Sequence, residues 1–213
     1  MSYQGILFDL DGVLLDSEAA IEVIFRKILK EIGDFNLTPE LYRKYFLGRS
    51  DNEGFAAFHE DYPDIPVHLV DSHKEPAYRG LIGDKIVLYP GALDVIKKAQ
   101  QVGRLALVTG SARWQVEALE KIVPFGKYFS VITTVEEVTR AKPDPEIYQI
   151  TLKKMNLPAS ACLAIEDTPY GVRSAKSAGL TCWAVEHNVP REALREADKI
   201  FPAIRDLTFN ESA

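Results

Sequence analysis

The 213-residue chain is short of several residue types and patterns, and each shortage removes a class of protein. Cysteine occurs only at positions 162 and 182, which excludes a small disulfide-stapled scaffold. Both cysteines sit inside short apolar runs, Ala161 to Ile165 and Thr181 to Val185, where a buried reduced thiol is expected; that favours the cytosol. The four histidines, His59, His68, His73 and His187, have no metal-ligand spacing and read as surface residues. No apolar run reaches membrane-spanning length, and the opening stretch MSYQGILFDL lacks a basic segment followed by a long apolar stretch and a cleavage site. The expectation is a soluble cytoplasmic protein with no membrane partner. Positive charge is not in excess either: 25 Lys and Arg stand against 31 Asp and Glu, for a net charge of −6, and the basic residues are scattered. That leaves no electrostatic footprint for nucleic acid. Internal repeats and low-complexity tracts are also missing.

What the chain does have is apolar sequence, 46% of its residues, enough for a substantial core. Four short continuous runs stand out, Gly5 to Phe8, Leu105 to Val108, Ala161 to Ile165 and Thr181 to Val185, with a weaker fifth at Val131 to Thr133. Runs of this length without polar alternation suit strands buried on both faces. Helical patterns lie between them, as at Ala92, Leu93, Val95, Ile96 and Ala99, and at Val172, Ala175, Lys176 and Ala178 with Gly179 as a stop. Alternation of strand and helix predicts an α/β fold with a parallel sheet. The stretch 15–89 interrupts the alternation. It is rich in aromatic and charged residues, contains helical patterns at Ile21 to Ile32 and Pro39 to Phe46, and offers no buried strand. It reads as an α-helical insertion, or cap, into a core made of 1–14 and 90–213, with hinge segments at Leu14 to Ser17 and Val87 to Gly91. The last dozen residues read as a fraying terminus.

Polar residues follow the apolar runs in a consistent way: Asp9 and Asp11 after the first, Thr109, Gly110 and Ser111 after the second, and Glu166 and Asp167 after the fourth. Ligands of open α/β sheets bind beyond the carboxyl ends of the strands, so these groups are expected to converge. Four carboxylates in one crevice repel one another unless a cation or raised pKa values relieve them. A hard, oxygen-ligated cation, Mg²⁺, is the natural partner, and it suits phosphate chemistry. Lys142, in AKPDPEIY, supplies a second positive charge. The stretch DLDG also begins like a calcium loop, but it lacks the further Asp or Asn before its glycine and meets only half of that pattern. Thr109 and Ser111 have a structural alternative as helix caps.

Taken in order, DLDGVLLDS, LVTGS, AKPDPEIY and IEDTPYGVRSAKSAG resemble the four motifs of the haloacid dehalogenase-like phosphohydrolase superfamily, and the insertion resembles its helical-cap branch. The resemblance implies a Rossmann-like core in which Asp9 is the nucleophile and forms an aspartyl-phosphate. It implies that Asp11 is the general acid and base, its main-chain carbonyl also binding Mg²⁺. It assigns phosphoryl contacts to Thr109 and to the N–H groups of Gly110 and Ser111, and charge stabilisation to Lys142. Asp9, Glu166 and Asp167 become metal ligands, with Glu166 direct or through water, and Gly12 permits the tight loop at the phosphate. Arg49, in FLGRS (46–50), becomes a candidate for an anionic or hydroxylated substrate. Asp11 argues against carbon–halogen and phosphonoacetaldehyde hydrolysis, whose motifs lack that second aspartate. A β-phosphoglucomutase-like reaction keeps both aspartates but has a histidine early in the cap, and here no histidine precedes His59. A catalytically silent binding module would have lost a nucleophile or a metal carboxylate, and none is missing. The expectation is a Mg²⁺-dependent, monomeric phosphatase of a small phosphorylated metabolite, with sugar phosphates and phosphoglycolate-like acids as leading substrates.

Overall fold

Continuous apolar runs need partners on both faces, and the six-stranded sheet they form supplies them. The structure is a computed structural model that describes residues 3–47, 49 and 51–209. The strands are β1 (Gly5–Phe8), β2 (Arg104–Val108), β3 (Val131–Thr133), β4 (Cys162–Glu166), β5 (Thr181–Val185) and β6 (Lys199–Phe201). They are parallel and lie in the order β3-β2-β1-β4-β5-β6, the doubly wound order in which the direction of winding reverses between β1 and β4. Phe8 registers with Leu107 on one side and Ile165 on the other, so the three central strands end level. Leu7, Ala106, Ala164 and Ala184 face one buried cluster, while the alternating Ile6, Phe8, Leu163 and Ile165 are equally buried on the other face. Each large side chain taken out of water in this way contributes about 1.5–3 kcal/mol.

The described chain divides into two compact units, Met1–Asp16 with Leu88–Ala213, and Ser17–Val87. The second is helical: α1 (Glu18–Gly33), α2 (Pro39–Tyr45), α3 (Asp51–Asp61) and α4 (Val70–Arg79). Its aromatics are its core, with Phe25 against Phe46 and Phe55 at ring-centroid distances of 5.0 and 4.8 Å, and Phe58 against Phe35 and Tyr62 at 5.1 and 4.8 Å. Helix α2 starts on Thr38, whose hydroxyl oxygen accepts from Leu41 N–H, with Pro39 in its first turn. Helix α4 is buried at Lys74, which pairs with Asp51 of α3.

In the first unit, the sheet is joined by α5 (Ala92–Gln100), α6 (Arg113–Leu119), the short α7 (Phe125–Tyr128), α8 (Glu146–Met155) and α9 (Pro169–Ser177). Ile147, Tyr148 and Leu152 of α8 and Val172 and Ala175 of α9 cover the Leu7 face. Both cysteines are free and buried, Cys162 at the start of β4 and Cys182 inside β5.

One expectation is corrected. The stretch from 202 to 209 is packed rather than frayed: Ile204 and Leu207 are buried, and Phe209 stacks on Trp183 at 6.0 Å. The remainder of that expectation, 210–213, lies outside the described residues.

Candidate active site

Asp9 directly follows β1, and its N–H still donates to the Ile165 carbonyl at 3.0 Å, so the ladder itself aims the residue at the reversal point of the sheet. Glu166 closes β4 and Asp167 follows it. Asp9, Glu166 and Asp167 are all buried, and a carboxylate oxygen from each lies within 4.8 Å of the others. Lys142 reaches this cluster from the loop before α8. Its ammonium donates to Asp9 Oδ1 at 2.9 Å, Glu166 Oε1 at 2.7 Å and the Val108 carbonyl at 3.2 Å, which uses all three of its hydrogens. That loop is itself held. Glu146 Oε2 accepts the N–H groups of Thr139 and Arg140, and the Ser174 hydroxyl donates to the Asp144 carbonyl at 2.6 Å.

The charges set the chemistry. Burial, together with the neighbouring carboxylates Glu166 and Asp11, pushes the Asp9 carboxyl up to about 7 even though Lys142 pulls it down. Burial, then Asp9 and Glu166, drive Asp167 well above the usual carboxylate range. Burial alone would lower Lys142, but the Asp9 and Glu166 carboxylates reverse this and hold it charged. Three buried carboxyl groups thus share one ammonium, and the upward shifts of Asp9 and Asp167 register the crowding.

The arrangement fits a divalent cation on a further ground. Asp167 Oδ1 is buried and has no hydrogen-bond partner among the described residues, whereas Asp167 Oδ2 accepts from Asn188 Nδ2 at 3.3 Å. A buried acceptor without a donor is costly unless something positive meets it. Gly12 leaves the room: at φ +78 its backbone lies so close that a Cβ would come within 1.9 Å of Asp167 Oδ2. Glu166 is more fully committed to the protein. Its Oε1 accepts from Lys142 and from the Tyr148 hydroxyl at 2.6 Å, its Oε2 from Asp167 N–H at 3.3 Å, and a Cβ on Gly171 would fall 2.0 Å from Oε2. Tyr148, buried on α8, was not singled out by the sequence, because a tyrosine at helical spacing reads as core.

At the end of β2, Thr109 Oγ1 accepts Ser111 N–H at 2.9 Å, and Ser111 Oγ donates to Asp11 Oδ2 at 2.5 Å. Neither hydroxyl caps α6, whose first residues are closed instead by Gln115 accepting Ala112 N–H. Thr109 thus holds the Ser111 N–H, the donor expected to reach phosphate, and Ser111 serves Asp11 through its side chain. Gly110 is exposed, with open space where a Cβ would stand. Arg49 belongs to the helical unit, on an exposed bend after α2; Gly48 and Ser50 of the same stretch lie outside the described residues.

The histidines divide. His59 and His68 are exposed, as expected, His73 is partly exposed, and His187 is half-buried. Its Nδ1 meets the Gly12 carbonyl at 2.8 Å, its Nε2 accepts Ile204 N–H at 3.1 Å, and its ring stacks on Tyr89 at 3.8 Å. Burial lowers its pKa. His187 and Asn188 come just after β5, so the rule that found the other site residues, polar residues following an apolar run, was sufficient to find these.

A family model described as haloacid dehalogenase-like hydrolase matches residues 6–185. Protein CbbY of Cereibacter sphaeroides is 33% identical over 215 residues, covering 96% of this chain and 94% of its own. A phosphorylated carbohydrates phosphatase of Thermotoga maritima is 30% identical over 208 residues, with 92% of each chain covered. The crystal structure of a CbbY variant from Rhodobacter sphaeroides in complex with xylulose-(1,5)bisphosphate superimposes with a TM-score of 0.86 at 29% identity, covering 96% of both chains.

Proposed function

The chain belongs to the haloacid dehalogenase-like hydrolases, and from that membership we propose that it is a Mg²⁺-dependent phosphatase of small phosphorylated metabolites, working through an aspartyl-phosphate. The observation that carries the reading is the buried cluster of Asp9, Glu166 and Asp167 around a single ammonium, with Asp167 Oδ1 unpartnered. Asp9, Asp167 and the Asp11 main-chain carbonyl would hold the cation, which when bound neutralises phosphoryl oxygens and lets an anionic nucleophile approach an anionic ester. Glu166 serves chiefly to aim Lys142.

An Asp9 oxygen attacks phosphorus, a new O–P bond forms, and the bond from phosphorus to the ester oxygen breaks. Asp11 gives its proton to the leaving oxygen. Water then attacks the phosphorus of the aspartyl-phosphate, Asp11 takes the proton, and inorganic phosphate leaves with Asp9 restored. Lys142 and the Thr109 hydroxyl stabilise charge on the transferring group. The contact from Ser111 keeps the Asp11 carboxyl aligned.

Residues 15–89 act as the cap that governs access, with Arg49 a ligand for an anionic or hydroxylated group. Sugar phosphates lead as substrates, in keeping with the names of the Thermotoga relative and the CbbY complex. Helix α1 carries no histidine, which favours water over a second sugar as acceptor. The two buried free cysteines support a cytoplasmic setting. The test is phosphate release from sugar phosphates, phosphoglycolate, nucleotides and p-nitrophenyl phosphate, each with Mg²⁺ and with chelator. Mg²⁺-dependent release from a sugar phosphate or small phosphorylated acid is expected, and release that persists unchanged in chelator overturns the mechanism.

A further inference from the structure

Tyr89, His187 and Asn188 come from two loops, yet they meet at the two groups on which the site depends. Tyr89 stands where the chain re-enters the sheet unit, and its N–H donates to the Leu14 carbonyl at 2.9 Å. Its ring lies over the His187 imidazole at 3.8 Å and 28°. Ile204 N–H is a donor, so His187 Nε2 must accept, and the proton therefore sits on Nδ1 and is donated to the Gly12 carbonyl. The neutral ring satisfies both neighbours at once. Asn188 is oriented in the same manner: Tyr89 O–H donates to its Oδ1 at 3.3 Å, which turns Nδ2 toward Asp167 Oδ2.

We propose that Tyr89, His187 and Asn188 form a positioning clamp for the cation: Asn188 engages one oxygen of Asp167 so that Oδ1 is left for the metal, and His187 fixes the Gly12–Val13 peptide, one peptide on from the Asp11 carbonyl. The proposal rests on the hydrolase reading above for the identity of the cation. Partners of this kind, one bond removed from the ligands, typically set metal affinity over about 10–100-fold.

The experiment is titration of MgCl₂ into the substrate-free full chain by calorimetry, comparing the native protein with Asn188→Ala and Tyr89→Phe, with melting measured in chelator as the check on folding. Asn188→Ala should weaken Mg²⁺ binding by about 10–100-fold. Tyr89→Phe keeps the stack on His187 and loses only the hydroxyl, and should weaken it less. In steady-state assays the half-saturating Mg²⁺ concentration should rise while kcat at saturating Mg²⁺ and KM for the phosphate ester hold, a split that a general loss of structure does not produce. Native-like Mg²⁺ affinity in both variants overturns the clamp alone. A native chain that binds no Mg²⁺ overturns the clamp and the cation assignment together. Mg²⁺ binding weakened in the variants but no ester hydrolysed by the native chain supports the clamp and overturns the hydrolase reading.

Discussion

Replacing Lys142 with methionine keeps most of the side chain's length and removes only its charge and three hydrogen bonds. The Lys142, Asp9 and Glu166 side chains are 13%, 12% and 0% exposed, so water can do little to replace the ammonium. Removing one partner of a buried ion pair costs about 3–5 kcal/mol, because the other is left uncompensated. Proton uptake eases the loss as pH falls, since the Asp9 carboxyl already stands at about 7. For a chain of this size about 1 kcal/mol moves the melting temperature by about 2–4 °C, so a drop of roughly 6–20 °C is expected in chelator at about pH 8. Near pH 5 a proton is cheap, and the drop should shrink to roughly 3–6 °C. Mg²⁺ should restore part of the loss, since it brings positive charge to the same carboxylates. Turnover should fall by about 10²–10³, the usual effect of losing one preorganised donor. The assays are scanning calorimetry at both pH values, with and without Mg²⁺, and phosphate release. A variant that melts within about 2 °C of the native chain at the higher pH refutes the buried-charge argument. One that also keeps native turnover refutes the catalytic placement of Lys142.

Asp9→Asn should abolish turnover, whereas Asp11→Asn should let a phosphorylated chain accumulate, visible as a mass increase in a protein quenched in acid; full activity in Asp9→Asn would sink the nucleophile assignment. Burial places the His187 pKa below the ordinary imidazole value of 6.5. The folded chain therefore binds fewer protons than the unfolded chain in the window below that value, and stability rises with pH there and is lost as pH falls. Asp9 and Asp167, whose raised carboxyls work in the opposite direction, do so in both proteins, so the expected outcome is a difference: from about pH 7 to pH 5 the native melting temperature should fall relative to that of His187→Gln, which does not titrate there. The same pH dependence in the two proteins rules out the half-buried neutral imidazole.

Much of the site was legible because a parallel sheet turns chain order into spatial convergence. Asp9, Asp11, Thr109, Glu166 and Asp167 each follow an apolar run, and runs that pair in parallel end on the same side. Lys142 follows no run and was legible only from its motif. The engagement of Glu166 with Tyr148 and Lys142 was not legible, because nothing local in IEDT or in EIYQI says that the two side chains touch. Strand β6 was missed for a physical reason: it is a three-residue edge strand with Lys199 exposed, so it shows no buried run. In the helical unit, α3 and α4 escaped because α3 opens acidic and carries Gly54 inside, and α4 carries Pro76, while the apolar surface they bury is aromatic and shared across helices rather than striped along one. His187 was misread because a lone histidine has no pattern of its own; its partners Gly12 and Ile204 are brought to it by the fold.

Cys162 and Cys182 lie on adjacent strands with no accessible surface, and burial raises both thiols above their ordinary range, so neither offers thiolate to a reagent in the folded chain. Alkylation of either one then clocks the opening of the central sheet itself, a native-state unfolding reporter that needs no added probe. For the same reason a single cysteine placed on the surface of the helical unit accepts a fluorophore selectively against a silent background. The protein is thereby ready for site-specific labelling without first being stripped of its own thiols.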